Sequence, residues 1–115
     1  MFQGETAITI DDKGRLAIPV AFRDVVARDC GNRLVLTYNP FDQGSLYLYP
    51  EAGWQAVRDQ VVALSPFVPE HRVLQRMLVG AATPLEPDSA GRVLLPPSMR
   101  TTAGLEKEAV LMGMG

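Results

Sequence analysis

A thirteen-residue stretch occurs twice in this chain, 77 positions apart, as DDKGRLAIPVAFR at 11–23 and DSAGRVLLPPSMR at 88–100. Asp11, Gly14, Arg15, Pro19 and Arg23 meet Asp88, Gly91, Arg92, Pro96 and Arg100, so five of the thirteen positions are identical. Leu16, Ala17, Ile18 and Phe22 meet apolar Val93, Leu94, Leu95 and Met99, which brings nine of the thirteen into agreement in kind. At residue frequencies of roughly 5–7%, five matches are within reach of chance once every pair of windows is compared. The physical agreement carries more weight. Each copy places glycine before arginine at a turn, then a short apolar strand, a proline with no N–H to donate to a ladder, and an arginine one helical turn beyond. Each is followed by a glycine, Gly31 or Gly104, and an apolar run, LVL or VLM. A unit of about forty residues has too little core to stand alone. Two such halves must bury their apolar faces against each other, and a pseudo-two-fold arrangement follows.

The local pattern predicts the elements of each half. ETAITI (5–10) and RLAI (15–18) have strand composition and flank the turn DDKG, where Gly14 supplies a positive φ, so they read as a hairpin. VAFRDVVARD, with Val20, Phe22, Val25 and Val26 between charges, reads as a short amphipathic helix that stops at Gly31. RLVLTY (33–38) and SLYLYP (45–50) read as a second hairpin around NPFDQG. Residues 51–80 change character: Trp54, Val57, Val61 and Leu64, then Val73, Leu74, Met77 and Leu78, fall at helical spacing, with SPFVP as the connection. The expected organisation is a first half at 1–50, connecting helices at 51–80 and a second half at 81–115, in one compact unit.

Composition narrows the class. With 115 residues, 47% of them apolar and 21% charged, the chain has the make-up of one folded domain, not of a disordered one. Cys30 is the only cysteine, which rules out an internal disulfide and any paired-cysteine metal pattern. No basic leader and no apolar run of about 18 residues is present, so a soluble, cytoplasmic protein is expected. Lysine and arginine against aspartate and glutamate give 11 − 13 = −2, so a basic nucleic-acid surface has to come from folding or assembly.

The stretches MFQGETAITIDDKGRLAIPVAFR, LYLYP before a tryptophan-bearing helix, RMLVGAA, DSAGRVLLPPSMR and AGLEKEAVLMG together resemble the MraZ family of the SpoVT/AbrB-like swapped-hairpin superfamily, over essentially all 115 residues. The resemblance implies a mainly β protein with short helices (α+β), built as a pseudo-two-fold double swapped-hairpin barrel with a helical connection at about 51–79. It further implies a sequence-specific, DNA-binding transcriptional regulator with no catalytic activity and no cofactor, associated with the nucleoid. Such a regulator binds double-stranded DNA at short direct promoter repeats upstream of a division and cell-wall gene cluster, as a ring-like homo-oligomer. Its DNA-contacting motifs, carried over residue by residue, are Asp11 with Arg15 and Asp88 with Arg92. Against that pattern the second half stops at Gly115, fifteen residues past Arg100. The family normally adds a further strand and a C-terminal helix there, so an unpaired sheet edge is expected.

In the DNA reading, Arg15 and Arg92 contact phosphates or guanine edges through their planar forks. Lys13 adds a phosphate contact, and Asp11 and Asp88 hold the guanidinium groups in one rotamer. The plainer reading is that each Asp–Arg pair only pins its turn, since solvated pairs contribute little to stability. Arg23 and Arg100 have DNA contact and a structural role, capping a carbonyl or pairing across the halves, as equal alternatives. Trp54, Met77 and the tyrosines 38, 47 and 49 have the spacing of core or subunit contacts. His71 reads as a surface residue and Cys30 as a loop thiol without an activating histidine. Two other functions stand beside DNA binding: an AbrB-like module that binds a protein partner, and a small hydrolase using Asp11, Asp88 or His71. The second is weakest, with one histidine, no nucleophile elbow and no metal-ligand spacing.

Overall fold

A computed structural model describes residues 2–114. Along the chain run β1 (Gln3–Thr9), β2 (Arg15–Ala17), α1 (Val20–Asp29), β3 (Leu34–Tyr38), β4 (Leu46–Pro50), α2 (Glu51–Val62), α3 (Pro69–Leu74) continuing into a turn of π-helix (Gln75–Gly80), β5 (Thr83–Leu85), β6 (Arg92–Leu94), α4 (Pro97–Ala103) and β7 (Glu108–Met114). The result is a mixed α+β fold of short helices and three antiparallel sheets, ordered β1-β7, β2-β6 and β4-β3-β5.

The strand pairing corrects one expectation. Residues 5–10 and 15–18 flank a turn but do not form a hairpin ladder; they touch through the single bridge Ile10–Leu16. β1 instead pairs along its length with β7, Thr6 opposite Leu111, and β2 pairs with β6, Leu16 opposite Val93. A tight turn dictates only local chain reversal, and the strands leaving it separate when each finds more apolar surface on a distant partner. The second hairpin forms as expected, with β3 antiparallel to β4, Val35 opposite Tyr49. Adding 77 to the residue numbers carries β2 onto β6, overlaps β1 with β5 and overlaps β3 with β7, so the β1·β7 and β5·β3 pairs are counterparts.

The continuous apolar run of β3 reflects burial on both faces. Leu34 and Leu36 face a core built from the repeated segments: Ile10, Leu16, Ile18, Phe22 and Val26 meet Val93, Leu95 and Met99. Val35 faces the opposite way, onto Trp54, Val61 and Leu78 of the helical connection. Thr37 is fully buried on that same side, and its hydroxyl donates to the carbonyls of Met77 (2.9 Å) and Leu78 (2.8 Å), at the π-turn where the regular helical ladder is interrupted. Gln75 ties the end of α2 to the same turn by donating Nε2 to the Leu64 carbonyl at 2.9 Å. Trp54 is a core residue, with Tyr49 packed on it at 5.6 Å between ring centroids. Val73 departs from its expected place and is 41% exposed, on α3 just ahead of the π-turn.

Pro19 and Pro96 each precede a helix, α1 and α4, with extended ψ of 143° and 132°, and end the strands before them. α4 terminates at Gly104 in the left-handed region, φ 69°. Among the described residues no helix is long and apolar enough to cross a membrane.

Candidate nucleic-acid interface

The two turns ahead of β2 and β6 are alike atom for atom. In the first, the Asp11 carbonyl accepts the Gly14 N–H at 3.0 Å, and the Asp11 N–H donates to the Arg15 carbonyl at 2.8 Å. In the second, the Asp88 carbonyl accepts from Gly91 and the Asp88 N–H donates to Arg92, both at 2.9 Å. Gly14 and Gly91 close the turns with φ of 84° and 74°, a conformation that disfavours any side chain.

Each aspartate works twice. Asp11 Oδ1 accepts the backbone N–H groups of Lys13 and Arg15, both at 2.9 Å, while Oδ2 accepts from Arg15 Nε at 2.9 Å. Asp88 does the same, with Oδ1 on the N–H groups of Ala90 and Arg92, both at 2.9 Å, and Oδ2 on Arg92 Nε at 3.0 Å. The arginine backbone N–H, foremost among these donors, holds each carboxyl below the ordinary aspartate range. Capture is at Nε, along the side of the guanidinium. The two terminal amino groups of Arg15 and of Arg92 have no hydrogen-bond partner among the described residues, and those four N–H donors are the fork suited to phosphate or guanine.

The β2–β6 ladder brings the two arginines onto one face. Its register sets Arg15 opposite Leu94 and Ala17 opposite Arg92, with Leu16 and Val93 pointing into the core between them. Side chains two apart share a face, so Arg15, Ala17, Arg92 and Leu94 line the outer surface, and the arginines are diagonal neighbours about 7–8 Å apart in backbone terms. Leu94 is 54% exposed there, an apolar side chain standing between two cations. Sequence reasoning missed Leu94 and Ala17 because an apolar strand residue reads as core; the signal that finds them is the repeat itself, in which 17 and 94 are equivalent outward positions.

The remaining candidate residues fall elsewhere. Lys13 is exposed on the first turn beside Asp12, and the second turn has Ala90 and Ser89 in their places, so both tips have zero net charge and the first alone carries the extra opposed pair. Arg23 on α1 donates Nε to the Ile18 carbonyl at 2.6 Å. Arg100 on α4 donates Nε to the Leu105 carbonyl at 3.0 Å and Nη2 to that of Glu106 at 2.7 Å. His71 lies against the Ser65 carbonyl, 3.1 Å from Nδ1, away from both turns. Burial and neighbouring Asp29 raise the pKa of the Cys30 thiol, which keeps it protonated and a poor nucleophile.

A family model described as "MraZ protein, putative antitoxin-like" matches residues 1–77 and again 77–115. The chain is 57% identical over all 115 residues to the transcriptional regulator MraZ of Stenotrophomonas maltophilia and to that of Xanthomonas campestris pv. campestris, covering 100% of this chain and 78% of theirs. The chain belongs to the MraZ family. A more distant MraZ relative, the transcriptional regulator of Nitrosospira multiformis, is 44% identical over the same 115 residues and is covered to 77%. Transcriptional regulation is thus the activity under which these MraZ relatives are named, and the twin turns are the feature of this MraZ chain to which a mechanism has to be fitted.

Proposed function

We propose that this chain regulates transcription by binding double-stranded DNA through the face shared by Arg15 and Arg92. The observation that carries the reading is the side-on grip of each aspartate: it fixes the arginine at Nε and leaves the terminal fork without a partner among the described residues. An aspartate that merely neutralised its partner would do so equally well through the terminal amino groups. The backbone separation of the two arginines is about two base-pair rises, so both forks can address one groove. Leu94 and Ala17 between them offer apolar contact of the kind that a thymine methyl accepts. Lys13 adds a phosphate contact at one end, and Asp11 and Asp88 orient without touching DNA.

Two arginines, each beside a carboxylate, make a weak binder alone. Several subunits on one duplex act as a linked set, and affinity then multiplies when the DNA carries repeats at matching spacing. The site proposed on the family resemblance is a set of short direct repeats upstream of the division and cell-wall gene cluster, bound by a ring-like homo-oligomer on the nucleoid. In this reading residues 1–50 and 81–115 are two swapped-hairpin halves joined by the helices of 51–80.

The test is fluorescence anisotropy on a labelled duplex from the chain's own upstream region and on a scrambled duplex, at several salt concentrations, with the Arg15→Ala/Arg92→Ala variant alongside. The expected result is preference for the native duplex, lost in a folded double variant, with the salt slope shallower by about 0.9 for each phosphate contact removed. Equal binding of both duplexes by both proteins would sink the proposal and turn attention to a protein partner.

A further inference from the structure

We infer that Arg23 and Arg100 are positioning residues that brace the two tips crosswise, each holding the turn that belongs to the other repeat. The backbone is already crossed: the Gly91 carbonyl accepts the Ile18 N–H at 2.8 Å, and the Gly14 carbonyl accepts the Leu95 N–H at 2.9 Å. Each turn therefore docks on the strand end of the opposite repeat. The helix arginines follow the same pattern. Arg23 folds back from α1 to bond the Ile18 carbonyl and lies so close over Gly91 that a Cβ there would stand 2.6 Å from its Nε and 3.0 Å from its Cδ and Cζ. Arg100 folds back from α4 to the Leu105 and Glu106 carbonyls, and its Nη1 would stand 3.6 Å from a Cβ on Gly14.

Gly91 is thus demanded twice, by its positive φ and by the guanidinium above it, whereas Gly14 is demanded mainly by φ. The crossed arrangement makes the two tips one mechanical unit. A shift of the 88–91 turn has to move Arg23 and Ile18, and a shift of the 11–14 turn has to move Leu95. Arg15 and Arg92 then approach DNA at a set separation, which preorganises both forks and lowers the ordering cost of binding. This positional role rests on the DNA reading above; the bracing itself does not.

Two experiments on the full chain separate the two. In the free protein, backbone amide spectra of Arg23→Ala and Arg23→Lys are expected to move Gly91 and Arg92 more than Gly14 and Arg15. Arg100→Ala is expected to move Gly14 and Arg15 more, and by a smaller amount than Arg23→Ala moves its pair. The lysine variant keeps the charge and the stem, so it reports even where alanine unfolds the chain. Shifts confined to each arginine's own repeat would overturn the bracing. In the anisotropy assay, Arg23→Ala is expected to weaken native-duplex binding about fivefold, the factor of one hydrogen bond, in an Arg15→Ala background, and to add nothing in an Arg92→Ala background. Arg100→Ala should behave the opposite way. Arg23→Lys should fail to rescue, since a lysine lacks the planar group that covers Gly91; rescue would make Arg23 a simple charge and overturn the positional role. Crossed amide shifts with no native-duplex preference in the parent protein would defeat the DNA reading while supporting the bracing.

Discussion

β3 and β7 occupy counterpart places in the two repeats, yet among the described residues they are covered differently. Leu34 and Leu111 both pack on the shared core, so the repeat governs the inner face of each strand. On the outer face, Val35 and Thr37 are buried under Trp54, Val61 and Leu78, while their counterparts Met112 and Met114 are 57% and 83% exposed. β3 also has β4 on its second edge, whereas β7 is paired only with β1 among the described residues. Among the described residues, the cover on β3 comes from residues 46–80, which supply β4, α2, α3 and the π-turn. The repeated segment therefore encodes the tips and the common core in both halves, and residues 46–80 encode the layer over β3. The tips are alike in both halves because nothing in their geometry depends on that layer.

The comparison can be broken at its strongest point first. Trp54→Ala strips the outer cover from β3 and should cost about 3–5 kcal/mol by urea denaturation; Met112→Ala on β7 should fall within about 0.5 kcal/mol. Similar losses at the two sites would mean that the helical layer is not what distinguishes the strands. Thr37→Val keeps the shape but leaves the Met77 and Leu78 carbonyls without their donor, an expected loss of about 1–3 kcal/mol. If its melting temperature equals that of the parent, the hydroxyl is not what anchors the π-turn. The tips sharpen the comparison from the other side. Gly91→Ala, with positive φ and Arg23 overhead, should cost about 1–3 kcal/mol, and Gly14→Ala less, measured by the same denaturation; the reverse order would contradict the crossed packing.

Acid should affect both tips together and only slightly. Asp11 and Asp88 have their pKa values lowered in the folded chain, so their contribution to stability is complete above the aspartate titration of the unfolded chain, near pH 4. It is lost as pH falls through the lower folded values. Carboxyl-carbon NMR titration should show both midpoints displaced downward, and a displacement at one tip only would contradict their equivalence.

Much of this was legible in the residues. Gly before Arg, the proline stops, the α1 pattern, the β3–β4 hairpin and the helical spacing around Trp54 are local features, and they fold as their local chemistry dictates. The partners of β1 and β2 were not legible, because a turn such as DDKG is equally compatible with strands that stay together and strands that part. The choice is made by distant apolar surface on β6 and β7. The phase change at Gln75–Gly80 escaped notice because a π-turn has no composition of its own. Leu94 was hidden by its apolar character. At the candidate site the Asp-x-x-x-Arg spacing pointed to the paired side chains, but which nitrogen the aspartate takes is a matter of rotamer and turn geometry, and it is this detail that leaves the fork free.

The measurement that tests the central claim most directly is native against scrambled duplex binding by the Arg15→Lys/Arg92→Lys variant across a salt series. Lysine keeps both charges and removes the planar fork and the Nε that the aspartates hold. The account predicts that the salt slope survives while the preference for the native duplex disappears. Retention of that preference at the parent level would contradict it, and would leave the twin turns as carriers of charge and not as oriented readers.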